Sequence, residues 1–397
     1  MATSRVIIVG AGPSGLTAAL FLTRAGVPVT VLESRTGLYE DPRAATFHPP
    51  TMEMFAESGV TQKLHELGIL CPRWQFRGRD EGIIAEFDLG ILADITPYPY
   101  RLQCEQHKLV AVLAEMLSTS SLCTIEYGAT VETVTQSADG VTVTTAEGRT
   151  YQGAYVIGAD GGRSVVRKSQ NIDFAGFTYQ ERFLVVTTTT DFEQLGFAYS
   201  CYVSDPREWC ALFKVPGKAP PGVWRVVFPT EPEASAEELL DHANAERRLR
   251  GFVPSAEPHA IVHTNLYTVH QRVAATYRTG RALLAGDAAH VNNPLGGMGM
   301  NFGIHDAVSL ATKLARVING ESEDLLDLYD RQRRYVANAF LQAMTIQNKR
   351  VLEEKDPQKR SDRMQEMRET VADPAKARAF LLRTAMFEGL QAAEKVA

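Results

Sequence analysis

The strongest constraint on this chain is the run VIIVGAGPSGLTAALFLTRAG, which begins at Val6. Its first four residues are all apolar, as a strand buried on both faces of a parallel sheet requires. Gly10, Gly12 and Gly15 then satisfy G-x-G-x-x-G, with Ala11, Pro13 and Ser14 between them. Apolar residues follow at helical spacing through Leu16, Ala19 and Leu20 until Gly26. In such a unit the first glycine permits a tight turn, the second lets the backbone approach a pyrophosphate, and the third lets helix and strand pack closely. The helix amino terminus faces the anion. A second apolar stretch, Val29 to Leu32, ends in Glu33, where a carboxylate can accept hydrogen bonds from a ribose diol. Strand, glycines, helix, strand and acid in that order predict a dinucleotide site for an adenosine ribose without a 2′-phosphate. FAD and NAD both satisfy it.

Composition narrows the setting. At 397 residues and 45% hydrophobic, the chain is long enough for one large or two ordinary cores. Five widely spaced cysteines, with no Cys-x-x-Cys pair and no histidine at metal-ligand spacing, predict reduced thiols in the cytoplasm and no metal site. The first strand arrives too early for a secretory leader, and no apolar run is long enough to span a bilayer. A net charge of −6, without a dense basic block, argues against nucleic acid as a partner.

Along the chain, Pro49 and Pro50 open a helical pattern ending at Gly59, and another helix is expected from Gln106 to Leu117. Ile125 to Val156 alternates apolar and polar residues around Asp-Gly and Glu-Gly turns, which predicts an antiparallel meander. Phe174 to Tyr267 is rich in Thr, Val, Phe, Tyr and Trp and predicts a separate sheet domain. A strand at Arg281–Ala285 leads into a glycine-rich turn and a long helix, Leu325 to Lys349 is helical, and the segment beyond Glu353 reads as terminal helices.

Three separated segments, GAGPSG at Gly10, GADGGRS at Gly158 and GDAAHVNNPLGGMGMN at Gly286, together resemble the class A flavoprotein aromatic monooxygenases, typified by para-hydroxybenzoate hydroxylase and 3-(3-hydroxyphenyl)propionate hydroxylase. The likeness runs from about Ser4 to Arg334. It implies an α/β fold: a Rossmann-like FAD-binding domain (1–78, 97–173 and 268–345), an inserted, mainly antiparallel substrate-binding sheet domain (79–96 and 174–267), and carboxy-terminal helices (346–397). It implies FAD at the opening site, NADH or NADPH as transient reductant and O2 as co-substrate, with oxygen delivered to an aromatic ring through a flavin hydroperoxide. The chain would work as a monomer or a homodimer.

The same resemblance distributes the cofactor contacts. Gly10 to Gly15 would cradle the pyrophosphate, Glu33 and Ser34 would lie at the adenosine ribose, and Arg35 would flank the adenine. Gly286 and Asp287 would meet the ribityl chain or a bridging water, Asp160 the passage shared with the pyridine nucleotide, Arg43 a mobile gating loop, and Gln106 the ribityl chain. Gly299 and the backbones of Met300 and Asn301 would meet the electron-rich edge of the flavin, with Pro294 beside the ring. A loop carboxylate capping a turn is an equal reading of Asp160.

The substrate, a small phenol, aromatic acid or hydroxypyridine, would sit between flavin and sheet. Tyr199, Tyr202, Trp209, Phe213, Lys214 and Arg225 are candidates to line that space, although strand alternation sends about half of them to the other face. His48, Tyr199, Arg225 and His270 are candidate acid/base groups, a structural histidine being the commoner role for the first and last. Halogenase relatives carry a Trp-x-Trp-x-Ile-Pro stretch, whereas Trp74, Trp209 and Trp224 stand apart. A quinone-pathway hydroxylase and a non-catalytic binder of an aromatic ligand remain as alternatives.

Overall fold

The computed structural model describes residues 4–40, 43–218 and 220–397. Val6–Val9 lies in a six-stranded sheet, paired in parallel with Val29–Glu33 on one side and Tyr155–Gly158 on the other. Cys123–Tyr127 and Ala282–Leu284 extend it outward, and Arg278–Thr279 closes one edge as a short antiparallel partner. The helices Pro13–Arg24, Gln106–Ser118 and Gly299–Ile318 pack on this sheet, and their apolar faces build the largest core, in which Ile8, Leu16, Val31, Leu113 and Leu310 are fully enclosed. The continuous apolar runs of the central strands follow from burial on both faces.

The antiparallel reading of Ile125–Val156 needs correction. Its outer strands, Cys123–Tyr127 and Tyr155–Gly158, belong to the parallel sheet, and only Val131–Gln136, Val141–Thr145 and Thr150–Gly153 form the small antiparallel sheet. Cys123–Tyr127 is a partly exposed edge strand, so its residues alternate as an antiparallel strand's would.

The second large sheet has eight strands in the order His290–Val291, Ile261–Ala274, Phe174–Thr188, Val223–Pro229, Cys210–Val215, Ser200–Ser204, Arg73–Gly78 and Gly82–Asp88. Two expected boundaries therefore move. Arg73–Gly78, assigned by sequence to the dinucleotide domain, pairs here with Gly82–Asp88 and, in parallel, with Ser200–Ser204. Ile261–Ala274 likewise runs on past the expected limit at 267.

One face of this sheet carries Leu184, Val186, Trp224 and Val226 and is covered by the helix His242–Phe252. The opposite face carries Trp74, Phe76, Phe183 and Val227 and packs on the carboxy-terminal helices through Met364, Met367 and Leu381. The long helix expected at Leu325–Lys349 is interrupted by a π-helical turn at Ala337–Gln342, between Asp324–Val336 and Ala343–Glu353. No helix among the described residues is long and apolar enough to cross a membrane.

Candidate functional site

The three sequence motifs meet at their glycines. Gly10 has φ +102°, and a Cβ there would fall within 3 Å of the Ala159 carbonyl oxygen in the second motif. A Cβ on Gly15 would strike the Gly10 carbonyl. Ser14 lies against Gly286 (φ +64°) and Gly303, so the first helix, the turn after Ala282–Leu284 and the helix Gly299–Ile318 approach at a point where no side chain fits.

Gly12 is different: a Cβ there would meet nothing within 4 Å. It is the N-cap of the first helix, with Pro13 at the first turn and no side-chain cap, so the N–H groups of that turn point into open space beside the strand ends. Glu33 stands at the rim. Its Oε2 accepts from the Ala11 N–H at 2.9 Å, and its Oε1 accepts from the Arg35 N–H at 2.9 Å and from the Ser34 hydroxyl at 3.2 Å. The carboxylate is thus held facing the cradle, Ser34 acts on Glu33, and the Arg35 guanidinium lies over the Tyr39 ring. This combination of open cradle, unpaired N–H donors and fixed carboxylate fits the diphosphate and ribose of FAD.

Farther along the cleft, Asp287 is open to solvent yet walled by protein, which pushes its carboxyl pKa up while His290 and Arg43 pull the other way. Pro294 is exposed on the same stretch. Gly299, Met300 and Asn301 form the first turn of the long helix, whose cap is Met298 without a side-chain acceptor. Asp160 caps the short helix after the second motif: its Oδ2 accepts from the Val165 and Val166 N–H groups at 2.6 and 3.1 Å. Its Oδ1 is buried without a partner, and burial raises its pKa. The Gln106 N–H donates to the Ala44 carbonyl at 2.8 Å, which ties its helix to the loop carrying Arg43.

A buried polar network missing from the sequence reading holds this loop system together. Asp306 accepts from the Gly286 N–H at 3.1 Å, His290 Nε2 at 2.6 Å and Arg333 Nε at 2.7 Å. His290 and Arg333 overcome the desolvation of the Asp306 carboxyl and hold its pKa down at about 2. The Asn301 amide donates to the Thr46 and Gly297 carbonyls, so its Oδ1 accepts from the His48 N–H and the Thr51 hydroxyl. With its proton committed to Asn301, Thr51 accepts from His305 Nε2 at 2.8 Å. The signal lay in the repeated polar residues of GDAAH and MNFGIHD, which helical periodicity alone reads as interruptions of an apolar face.

His48 belongs to this network and corrects its acid/base candidacy. It is fully buried, its Nε2–H donates to the Gly296 carbonyl at 3.0 Å, and burial together with Arg101 drives its pKa to about 3. It positions the glycine-rich turn as a neutral imidazole. His270 is bonded to Thr178 on the exposed ladder between two sheet strands.

Strand alternation divides the substrate candidates. Tyr202 and Phe213 pack on the same sheet face as Trp74, and Tyr202 lines a cavity there. Trp209 is core, edge-on to Phe183. Tyr199 and Lys214 are on the opposite face. The Tyr199 hydroxyl donates to Glu193, and Lys214 pairs with Glu193 while standing over the Tyr199 ring, so neither reaches the cavity. Arg225 donates to the Arg43 carbonyl at 2.8 Å and anchors that loop.

The cavity itself is formed by Trp74, Phe76, Arg101 and Tyr202 on the sheet side, Gly296 and Met298 on the glycine-rich turn, and Met367, Phe380 and Thr384 on the terminal helices. A more open depression on the helices around His65 contains none of the motif residues.

Comparison with known proteins agrees with this geometry. Residues 3–344 match the family model described as FAD binding domain. The chain is 34% identical over 395 residues to para-nitrophenol 4-monooxygenase of Pseudomonas sp. (strain WBC-3), covering 98% of this chain and 97% of the relative. It is 33% identical to 6-hydroxy-3-succinoylpyridine 3-monooxygenase of Pseudomonas putida (strain DSM 28022 / S16), covering 84% and 85%. The crystal structure of p-nitrophenol 4-monooxygenase from Pseudomonas putida DLL-E4 superposes with a TM-score of 0.91 at 34% identity, covering 97% of both chains. With three glycine motifs converging on one cradle and this breadth of similarity, the chain belongs to the class A flavoprotein aromatic monooxygenases, FAD-dependent enzymes that hydroxylate aromatic rings.

Proposed function

We propose that this enzyme hydroxylates a small ring bearing an ionisable hydroxyl, a phenol, a hydroxylated aromatic acid or a hydroxypyridine, and works in the cytoplasm, where its five unpaired cysteines are stable as thiols. The observation that carries the substrate class is the cavity lined by Trp74, Phe76, Tyr202 and Phe380, which abuts Gly296 and Met298. Aromatic walls bury a flat ring, and the neighbouring turn is the segment assigned to the flavin. The names of the relatives, which specify nitrophenol and a hydroxylated pyridine, support the same class.

When bound, FAD supplies the activation of O2 with electrons from NADH or NADPH. Overall, ring C–H, O2, NAD(P)H and a proton become ring C–OH, water and NAD(P)+. The chain's own work is binding and exclusion. The first-turn N–H groups after Gly12 would hold the pyrophosphate, Glu33 the adenosine ribose and Asp287 the ribityl chain. The N–H groups of Met300 and Asn301 would face the flavin's pyrimidine edge, with Pro294 beside the ring. The Arg43 loop, anchored by Arg225, and Gln106 would flank the ribityl side. Arg73–Gly78 and all of Ile261–Ala274 are grouped with the substrate sheet, and the helices beyond residue 353 complete the pocket wall.

The test is NAD(P)H oxidation by the FAD-loaded protein across a panel of phenols, hydroxybenzoates and hydroxypyridines, with hydroxylated product and peroxide measured separately. Ring-stimulated oxidation coupled to product is expected. FAD-loaded protein that no member of the panel stimulates would overturn the substrate class.

A further inference from the structure

Arg101 is the unusual group in the cavity. It lies on the short strand Arg101–Gln103 and is only 3% exposed. The sole hydrogen-bond partner of its guanidinium among the described residues is the Ser200 hydroxyl, which accepts from NH1 at 3.2 Å. Its Nε is buried without a partner, and its guanidinium stands over the Trp74 ring at 5.2 Å. The other cavity guanidinium, Arg363, is neutralised by Glu366 at 2.6 Å, and no carboxylate among the described residues lines the space. A buried cation with one neutral partner is costly to desolvate, and a charged partner relieves that cost.

Among the described residues, the surroundings supply no such partner. His48 is neutral, with a pKa near 3 to which Arg101 itself contributes. Cys71 lies opposite Arg101 on the neighbouring strand, and burial raises its thiol to about 11, so it too is neutral near pH 7. Among the described residues that line the cavity, the other ionisable groups are the Tyr202 phenol and Arg363, which is paired with Glu366.

We propose that Arg101 is the residue that selects substrates by charge: it receives the oxyanion of an ionised ring hydroxyl, or a ring carboxylate, against the Trp74 wall, so that the enzyme takes its ring as an anion. This rests on the aromatic-hydroxylase reading above. Such placement holds the ring by its most electron-rich substituent, beside the Gly296 turn, and an ionised hydroxyl raises the nucleophilicity of the ring carbons that accept oxygen.

The experiment titrates FAD-loaded protein with 4-nitrophenol, at a pH where it is ionised, and with the neutral isostere 4-nitrotoluene, following the flavin absorbance change. Wild type is expected to prefer the anion by at least about tenfold. Arg101→Gln should lose that preference while binding 4-nitrotoluene as before, and Arg101→Lys should retain part of it. Thiocyanate should displace the phenolate from wild type without displacing 4-nitrotoluene, a readout that needs no variant. Equal binding of the two rings by wild type, a preference that survives in Arg101→Gln, or equal loss of both ligands would each overturn the assignment. None of these would touch ring-stimulated NAD(P)H oxidation, so the broader substrate reading stands or falls separately.

Discussion

Single residues at this site separate folding from binding with unusual clarity. Gly10 and Gly15 face backbone carbonyls, so a methyl at either must displace main chain. Gly12 has ordinary extended dihedrals and open space ahead of it. Gly10→Ala and Gly15→Ala are therefore expected to cost about 1–3 kcal/mol of apoprotein stability. Gly12→Ala should leave apoprotein melting near the wild-type value but weaken FAD binding tenfold or more, as read by fluorescence titration. An unchanged FAD affinity in Gly12→Ala would remove that glycine from the cradle. Asp306 works one layer farther back. Its carboxyl, held near pKa 2 by His290 and Arg333, fixes the Gly286 N–H. A depressed carboxylate pKa contributes stability above the unfolded value near 4 that is lost as pH falls through 2, here about 2 kcal/mol. Asp306→Asn should forfeit that contribution at neutral pH and release FAD more readily, and urea midpoints together with the flavin-loaded fraction would measure both.

At the scale of elements, legibility followed the range of the pattern. The first βαβ unit and the helix after Gly299 announce themselves locally, because turn, cap and periodicity all lie within a few residues. Which sheet a strand joins is a long-range fact. Arg73–Gly78 pairs with Ser200–Ser204 across more than a hundred residues, and nothing in RWQFRG says so. Which face meets the cavity is long-range for the same reason: alternation separates Phe213 from Lys214 and Tyr199 from Tyr202, but only the fold says which of each pair looks into the cavity. That the terminal helices wall the cavity was invisible, since FLLRTAMF reads only as a terminal helix packing on the body, without saying on which surface. That wall is testable. Phe380 stacks on Phe87 at 4.6 Å and on Trp74 at 5.9 Å. Phe380→Ala should cost about 1–2 kcal/mol, because the ring is only partly buried, and should raise KM for the aromatic substrate with FAD affinity unchanged. Steady-state kinetics that leave KM untouched would detach these helices from the substrate.

For the whole molecule, the polar network that aligns the cofactor loops should set its tolerance of acid. His48 and His305 are buried and neutral, each with pKa lowered to about 3 chiefly by desolvation. Arg101 adds to the effect at His48; at His305, Arg333 and His48 lower the pKa and Asp306 opposes them. An unfolded chain protonates both near pH 6.5, so the folded state is favoured above that value and loses ground as pH falls toward 3. Between pH 7 and 5 the two sites together should cost about 4 kcal/mol, while Asp306, which titrates near 2, changes almost nothing over that interval. Denaturant midpoints of the holoenzyme at fixed excess FAD should therefore fall steeply from pH 7 to 5. In His305→Gln, whose amide can still donate to Thr51, the decline should be about half as steep. Because Thr51 and Asn301 connect His305 to the helix turn assigned to the flavin, that variant should also keep its FAD at a pH where wild type begins to lose it. A wild-type stability that stays level between pH 7 and 5 would show that these imidazoles are not held neutral, and would remove the link between their burial and flavin retention.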